Sequence, residues 1–173
     1  RGDITTLQVD AIVNAANSAL LGCFCPGHGC IDNAIHTAAG VQLRLACWDI
    51  MTRQKQEEAP GQAKLTPGFQ LPCRYVLHTV GPMVLKEPSA EDKRLLQSCY
   101  WSCLQLAEKN HCASIAFCCI STGEYHFPQA LAAQIAVDTV KNYLEMKQTQ
   151  MEVVFNVFTT EDEIIYQKRL AAN

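Results

Sequence analysis

A short segment near the start of the chain, LGCFCPGHGCIDNAIH at residues 21–36, concentrates side chains that could do chemistry. Cys23, His28 and Cys30 follow the pattern C-x4-H-x-C, and thiolate and imidazole are ligands that zinc prefers. Three protein ligands with one open position are typical of catalytic rather than structural zinc sites. The spacing is not that of a zinc finger, so spacing alone leaves other interpretations open.

These interpretations involve the same thiols and imidazoles. Cys25 or Cys30 could be a nucleophile activated by His28, because a cysteine within reach of a histidine forms a thiolate. A disulfide among these cysteines is a further alternative, which a reducing compartment disfavours. Cys25 either points away from the site as a packing residue, as we expect, or replaces a ligand. We expect His36 to be a hydrogen-bonded structural residue rather than a ligand.

Length and charge limit the function classes. The chain has 173 residues, of which 49% are hydrophobic, and this length favours one domain. The formal net charge of -3 offers no general attraction to nucleic acid or to anionic lipid. No apolar run is long enough to cross a membrane, and the first residues, RGDI, lack the pattern of a signal peptide. We therefore expect a soluble, cytoplasmic monomer with no nucleic-acid or membrane partner.

The ten cysteines suggest a secreted disulfide scaffold at first sight. Such scaffolds are small and poor in core residues, whereas this chain has ample aliphatic content. We expect most of the thiols to be reduced. Cys99 and Cys103 lie in a helical pattern, and Cys118 and Cys119 lie in an apolar run, so these four are predicted to be packing residues.

Apolar runs alternate with helical patterns along the chain. Four short runs are predicted to be strands buried on both faces: residues 9–16, 74–80, 113–120 and 151–158. Four segments are predicted to be helices: residues 32–52, 90–110, 129–146 and 161–171. Residues 53–65, rich in Gln, Lys, Glu and Gly, are predicted to be a solvated loop. This alternation predicts an α/β fold with a largely parallel sheet, whose ligands bind at the carboxyl ends of the strands.

A second candidate loop, STGEYHFP at residues 121–128, follows the third of these apolar runs. Its small hydroxyl residues and glycine precede a helix predicted to begin near Pro128. Exposed N–H groups in such a loop can bind a phosphate, and the helix start adds positive potential. By itself the pattern is also that of an ordinary strand-to-helix turn.

Five motifs in order resemble the macrodomain family over nearly the whole chain: GDIT at 2–5, VDAIVNAANS at 9–18, CIDNAIHTAAG at 30–40, HTVGP at 78–82 and CISTGEYHFP at 119–128. The resemblance implies a single macrodomain over residues 1–173, a three-layer α/β/α fold with a central mixed, largely parallel sheet that binds ADP-ribose. The family has at least one strand before GDIT, and its zinc branch has a longer amino-terminal extension. We expect these elements to be missing from this sequence or the sheet edge to be built differently.

The resemblance also implies ligand contacts. Asp3 would accept from the adenine amino group with Ile4 beside it, and Phe158 would stack on adenine. The loops 21–33 and 121–127 would close over the two phosphates, the second with Ser121, Thr122, Gly123, Glu124 and Tyr125. His126 is a further candidate for the distal ribose. Without the resemblance, Asp3 would be assigned as a turn or cap residue and Phe158 as a core residue at a strand end.

Two polar residues are the candidate catalytic pair. Asn14 and Asn17 stand at the end of an apolar strand, where a side-chain amide needs partners or solvent. By resemblance to hydrolytic macrodomains, Asn17 contacts the distal ribose and Asp32 lies near the scissile bond. Asp32 can at the same time cap the helix that it begins.

The cysteine segment resembles the zinc-containing branch of the family, whose motif matches at Cys23, His28 and Cys30, whereas Cys25 departs from it. The resemblance therefore implies Zn²⁺ as cofactor and ADP-ribosylated protein and ADP-ribose as partners. The predicted function is zinc-dependent hydrolysis that removes mono-ADP-ribose from modified side chains. The alternatives are an ADP-ribose reader module with a structural zinc and an O-acetyl-ADP-ribose deacetylase.

Overall fold

A five-stranded sheet forms the centre of the computed structural model, which describes residues 1–172. The strands are β1 (Ala11–Ala15), β2 (Ala63–Pro67), β3 (Tyr75–Thr79), β4 (Ser114–Phe117) and β5 (Glu152–Phe155). Their order is β2-β3-β1-β4-β5. The pairs β3-β1, β1-β4 and β4-β5 are parallel, and β2 pairs antiparallel with β3. The sheet is therefore mixed and largely parallel, as predicted.

Five helices complete a three-layer α/β/α fold. They are α1 (Ile31–Ala39), α2 (Val41–Gln54), α3 (Ala90–Lys109), α4 (Gln129–Lys147) and α5 (Thr160–Ala171), and a single 3-10 turn spans Ile4–Thr6. Crossovers between parallel strands pass through helices, which cover the sheet on both faces. Within residues 1–172, none of the helices is both long enough and apolar enough to cross a membrane.

The four apolar runs of the sequence form the parallel strands of the sheet, but burial on both faces is wrong for β5, an edge strand in which no residue is fully buried. Each strand is shorter than its run, because the residues beyond it enter the loops at the sheet edges. Ile12, Val76 and Ile115 are 0–1% exposed and belong to one continuous core. Cys99, Cys103 and Cys118 are also buried, as predicted, and Cys119 is half-buried. All ten cysteines lie within the described residues and are free thiols.

The single helix predicted over residues 32–52 is wrong, because the chain forms α1 and α2 instead. Gly40 separates them with φ +88°, a left-handed conformation that side chains other than glycine rarely adopt. Its N–H donates to the carbonyl of His36 and ends α1. The apolar periodicity continues across this break, so it did not reveal the break.

The solvated loop predicted over residues 53–65 is also partly wrong, because its end belongs to β2. This strand lies at the edge of the sheet, where it pairs only with β3. Thr66 is buried while Pro67 is exposed, and proline is accepted at strand ends on edges. The polar residues of a half-covered edge strand produce no apolar run, which is why the sequence pattern missed it.

Candidate active site

The candidate site lies at the carboxyl ends of β1, β3 and β4, where the loop 16–30 connects β1 to α1. Leu20 anchors this loop with a fully buried side chain and φ +60°. Asn17 shapes the next turn, because its Oδ1 accepts from the Ala19 N–H at 3.1 Å and its Nδ2 donates to the Gly22 carbonyl at 3.4 Å. Asn17 is thus placed at the start of the cysteine segment, half-buried at the sheet edge.

The three predicted metal ligands come together in this loop. Each of Cys23, His28 and Cys30 offers one ligand atom, and these three atoms lie within 4.8 Å of one another. Cys23 Sγ is 3.7 Å from His28 Nδ1. Two ligands of one tetrahedral zinc with ordinary bond lengths are about 3.6 Å apart. The donor set of two sulfurs and one nitrogen therefore fits zinc in type and spacing. Cys25 lies outside this group, as expected, but the expectation that it packs is wrong, because its side chain is exposed.

The first turn of α1 holds the segment in shape. Cys30 is the N-cap residue of α1, and its Sγ accepts from the Asn33 N–H at 3.4 Å. The Asn33 side chain donates to the Cys25 carbonyl at 2.9 Å and to the Cys23 carbonyl at 3.5 Å. Burial raises the pKa of the Cys30 thiol, and the nearby Cys23 thiol raises it further. A divalent cation reverses this balance, because it favours the thiolate form.

Glu124 connects the loop 121–127 to the three candidate metal ligands. Its Oε1 lies 3.4 Å from His28 Nε2, on the side of the ring opposite the nitrogen that faces Cys23. A metal-bound histidine commonly donates its other ring N–H to a carboxylate, which fixes the ring orientation. The resemblance suggested Glu124 as an ADP-ribose contact, and the structure places it against His28.

Asp32 lies in the first turn of α1 and is 5% exposed. The predicted capping role of Asp32 is wrong, because α1 begins at Ile31 and Cys30 is its N-cap. Its Oδ1 accepts from Asn14 Nδ2 at 2.8 Å. Burial raises the pKa of Asp32, while the hydrogen bond from Asn14 and the charge of Arg44 oppose this shift. His36 Nε2 lies 3.5 Å from the same carboxylate oxygen, and burial lowers the pKa of His36 to about 4. Near neutral pH the partner of Asp32 on α1 is therefore an uncharged imidazole.

A second cluster of histidine and cysteine lies deeper. His36, Cys47 and His78 also offer one ligand atom each, and these atoms lie within 4.8 Å of one another. All three residues are buried. Both ring nitrogens of His78 already have partners, because Asn14 Nδ2 is 3.2 Å from Nδ1 and Thr66 Oγ1 is 2.9 Å from Nε2. Cys47 Sγ also lies 3.7 Å from His78 Nε2. Because both nitrogens of His78 are already engaged, we assign this cluster as a buried core group rather than a metal site.

Sequence reasoning did not single out His78 or Thr66 as site residues. His78 is the first residue of the HTVGP motif and a polar residue inside an apolar run, which was the available signal. Thr66 lies on β2, the strand that the sequence did not reveal. The prediction that His36 is hydrogen-bonded is wrong: the residue is buried, but its ring nitrogens have no hydrogen-bond partner among the described residues.

The second predicted loop, 121–127, begins where the Ser121 side chain packs closely against the backbone of Gly81. Ser121 is buried with φ +65°, and a Cβ at Gly81 would overlap its hydroxyl oxygen. The Thr122 hydroxyl donates to the Cys119 carbonyl at 3.3 Å, and the Phe127 N–H donates to the Ser121 carbonyl at 2.9 Å. Gly123 has open space around its Cα. These contacts produce a compact turn over the ends of β3 and β4.

Two other residues of this loop differ in their surroundings. Tyr125 packs against a small apolar cluster that contains Leu20, which lies in the first loop. Burial raises the pKa of Tyr125, and the charge of Asp32 adds to the shift, so the phenol lies within electrostatic reach of that carboxylate. His126 has φ +56° and an exposed side chain.

The predicted adenine contacts lie together at the end of β5. The Gly2 N–H donates to the Val157 carbonyl at 3.0 Å, which brings Asp3 beside Phe158. Asp3 is the N-cap of the 3-10 turn, where its Oδ1 accepts from the Thr5 N–H at 2.9 Å. The Ile4 side chain is 1% exposed and lies in the core, whereas the Phe158 ring is 79% exposed. The ring is therefore free to stack on a base.

Comparison with known proteins places this arrangement in a family. The family model of the Macro domain matches residues 13–136. A Treponema medium protein named protein-ADP-ribose hydrolase is 56% identical over 171 residues, which cover 99% of this chain and 66% of the relative. A Staphylococcus aureus (strain MSSA476) protein of the same name is 53% identical over 169 residues, which cover 97% and 64%. The chain thus spans about two thirds of the length of these curated relatives.

Solved structures with ligands have the same fold. The Oceanobacillus iheyensis macrodomain with ADP superposes with a TM-score of 0.89 and 38% identity, covering 99% of this chain and 87% of that one. The Trypanosoma brucei macrodomain in complex with ADP-ribose has a TM-score of 0.83 and 40% identity, covering 98% and 67%. From its fold, its loops and these similarities, the chain belongs to the Macro domain family.

Proposed function

We propose that this chain is a zinc-dependent hydrolase that releases mono-ADP-ribose from modified protein side chains. The observation that carries the proposal is the contact between His28 and Glu124, at 3.4 Å, which joins the cysteine segment to the second loop. This contact brings a metal-type donor set and a phosphate-type loop to the sheet edge where Asp32 lies. Relatives named protein-ADP-ribose hydrolase and a fold neighbour in complex with ADP-ribose support the same substrate class.

The proposed ligand extends across this edge. Adenine stacks on the exposed ring of Phe158 beside Asp3, and the diphosphate lies between the loops 21–33 and 121–127. Backbone N–H groups in these loops would donate to the phosphate oxygens, which suits a chain with a net charge of -3. The distal ribose then lies near Asn17 and Asp32.

The metal would be held by Cys23, His28 and Cys30, with Glu124 orienting the histidine ring. A zinc ion with three protein ligands supplies a Lewis acid that polarises an oxygen or lowers the pKa of a bound water. The donor atoms lie on the loop that precedes Asp32, so the metal and the carboxylate would act on the same end of the ligand.

Asp32 is the proposed general base. Its carboxylate would take a proton from the attacking water, while Asn17 holds the distal ribose. Water is consumed, the bond between the distal ribose and the side chain breaks, and free ADP-ribose and the unmodified side chain are the products. We further propose that the chain acts as a cytoplasmic monomer on ADP-ribosylated proteins, without nucleic acid or membrane.

The test is release of ADP-ribose from mono-ADP-ribosylated protein by zinc-loaded and by chelator-treated protein. Release that needs zinc and returns when zinc is restored supports the proposal. Equal release in both samples contradicts zinc dependence. Tight ADP-ribose binding without release would instead indicate a reader module, and turnover of O-acetyl-ADP-ribose alone would indicate a deacetylase.

A variant pair tests the base. Asp32→Asn keeps the size of the side chain and an acceptor for Asn14 but removes the basic carboxylate. We expect ADP-ribose release to fall by about a hundredfold or more, the usual contribution of a general base. Asp49→Asn, on the exposed surface of α2, is the matched control and should release ADP-ribose at the unaltered rate. Equal rates for both variants would remove Asp32 from the mechanism.

A further inference from the structure

A continuous chain of hydrogen bonds runs from Asp32 into the sheet. Asn14 Nδ2 on β1 is 2.8 Å from Asp32 Oδ1 and 3.2 Å from His78 Nδ1 on β3. His78 Nε2 is in turn 2.9 Å from Thr66 Oγ1 on β2. All four side chains are 0–5% exposed. These hydrogen bonds therefore connect the proposed base, across β1 and β3, to the edge strand β2.

The donors and acceptors in this chain can be assigned from one group. The Asn14 amide nitrogen only donates, so His78 Nδ1 must accept and carries no proton. The proton of the neutral ring then lies on Nε2 and is donated to Thr66 Oγ1. Burial lowers the pKa of His78 to about 3, which keeps the ring neutral. Thr66 Oγ1 accepts this proton, and Cys47 Sγ lies 3.7 Å from the same nitrogen. The direction of the Asn14 amide selects the tautomer, because a hydroxyl can donate as well as accept.

The tautomer of His78 and the direction of the Asn14 amide stabilise each other. With Nδ1 as an acceptor, both amide hydrogens have partners, one in Asp32 and one in His78. Reversal of the amide would turn its oxygen toward a carboxylate oxygen and toward the ring lone pair, which places acceptors against acceptors. A proton on Nδ1 would instead favour the reversed amide, with its oxygen toward His78. Asp32 would then lose the N–H of Asn14 as its hydrogen-bond donor.

We propose that His78, which donates its Nε2–H to Thr66 and accepts from Asn14 at Nδ1, is a positioning residue that orients the Asp32 carboxylate through Asn14. The catalytic role of Asp32, on which this inference rests, is the one given under the proposed function. His78 and Thr66 do not touch the substrate in this scheme. They fix the direction of the Asn14 N–H and thereby the direction of the carboxylate.

Thr66→Val tests the proposal, because it keeps the shape of the side chain and removes the acceptor of the His78 N–H. We expect kcat for ADP-ribose release to fall about tenfold, since small misplacements of a reacting group are costly, with KM and ADP-ribose affinity unchanged. Thr66→Ser restores the hydroxyl and should recover kcat to within about twofold. Thr139→Val is the matched control, because Thr139 is a buried threonine of α4 whose hydroxyl donates to the Ile135 carbonyl.

A purely structural role of Thr66 would lower thermal stability in both valine variants and leave kcat alone. Equal kcat for Thr66→Val and Thr139→Val would therefore overturn the proposal. A raised KM at constant kcat would also overturn it, because that result places Thr66 in substrate binding rather than in orientation of the base.

A spectroscopic readout separates this inference from the proposed function. Imidazole ¹⁵N shifts of His78 should show the Nε2–H tautomer in the unaltered protein and a gain of the Nδ1–H tautomer in Thr66→Val. Protonation at Nδ1 in the unaltered protein contradicts the positioning role even where turnover is observed. Failure of the unaltered protein to release ADP-ribose would instead contradict the proposed function, with the tautomer still decided by the spectrum.

Discussion

The molecule contains two clusters built from the same residue types that have opposite properties. Cys23, His28 and Cys30 lie on a half-exposed loop with donor atoms that face one another. His36, Cys47 and His78 are buried, and the ring of His78 is occupied by Asn14 and Thr66. Similar distances between ligand atoms thus occur in a candidate metal site and in a core group.

The difference shows that distance alone does not define a metal site. A metal ligand needs a free lone pair, and a thiol ligand must lose its proton. In the buried cluster, desolvation raises the pKa of Cys47 to about 12, and the His78 lone pair on Nδ1 already accepts from Asn14. In the loop, the ligand atoms lie near solvent, and Glu124 supports the histidine from outside.

The largest expected effect is on zinc content. Replacing Cys23 and Cys30 together by serine should reduce bound zinc from about one equivalent to less than about 0.1, because serine is a poor ligand for this ion. Cys25→Ser in the same loop is the matched control and should keep the full equivalent. Metal content after dialysis, measured by mass spectrometry, checks this prediction. Zinc that persists in the double variant, or is lost on replacement of Cys47, would reverse the assignment of the two clusters.

Removal of an imidazole should affect stability in the buried cluster only. His78→Leu leaves the Asn14 amide and the Thr66 hydroxyl in the core without their partner, which should cost about 2–4 kcal/mol of unfolding free energy. His28→Leu on the loop should change it by less than about 0.5 kcal/mol in chelator-treated protein. Urea denaturation of both variants measures the contrast, and equal losses would contradict it.

Acid should weaken the buried cluster. Burial lowers the pKa of His36 to about 4 and that of His78 to about 3, from an ordinary value of 6.5. The unfolded chain therefore binds more protons below pH 6.5, so this stability is complete above pH 6.5 and is lost as the pH falls toward these values. Between pH 7 and pH 5.5 we expect a loss of about 1 kcal/mol for each ring in chelator-treated protein.

His36→Gln supplies the control for this pH dependence. It removes one of the two titrating rings, so the slope of unfolding free energy against pH should fall by about half. Asp32 acts in the opposite direction, because burial raises its pKa. Stability that is independent of pH between 7 and 5.5 would show that neither ring is held neutral.

The smallest effect is expected at Glu124. Glu124→Gln keeps a partner for His28 Nε2 but removes the charge, and loss of such a carboxylate weakens zinc binding by about tenfold. Glu145→Gln, at the far end of α4, is the matched control. Competition with a chromophoric chelator measures both affinities. An unchanged zinc affinity for Glu124→Gln would show that the Glu124 carboxylate does not support His28 as a zinc ligand.

Much of the fold follows from local pattern. The apolar runs predicted the parallel strands, and α3, α4 and α5 lie where the periodicity placed them. The edge strand β2 and the break at Gly40 were missed, because an edge strand has few buried positions and a single glycine leaves the periodicity on both sides intact. The candidate metal ligands could be recognised from sequence because they lie close together in it.

Part of the candidate site also follows from sequence, and part depends on the tertiary structure. Sequence spacing determined the group of Cys23, His28 and Cys30 and the placement of Asp32 behind it, because residues of one loop and one helix turn stay neighbours in any fold of this kind. Only the tertiary structure decided what holds Asp32. Its chain of partners, Asn14, His78 and Thr66, lies on three strands that become adjacent through sheet register, and register depends on burial of the whole sheet rather than on local sequence.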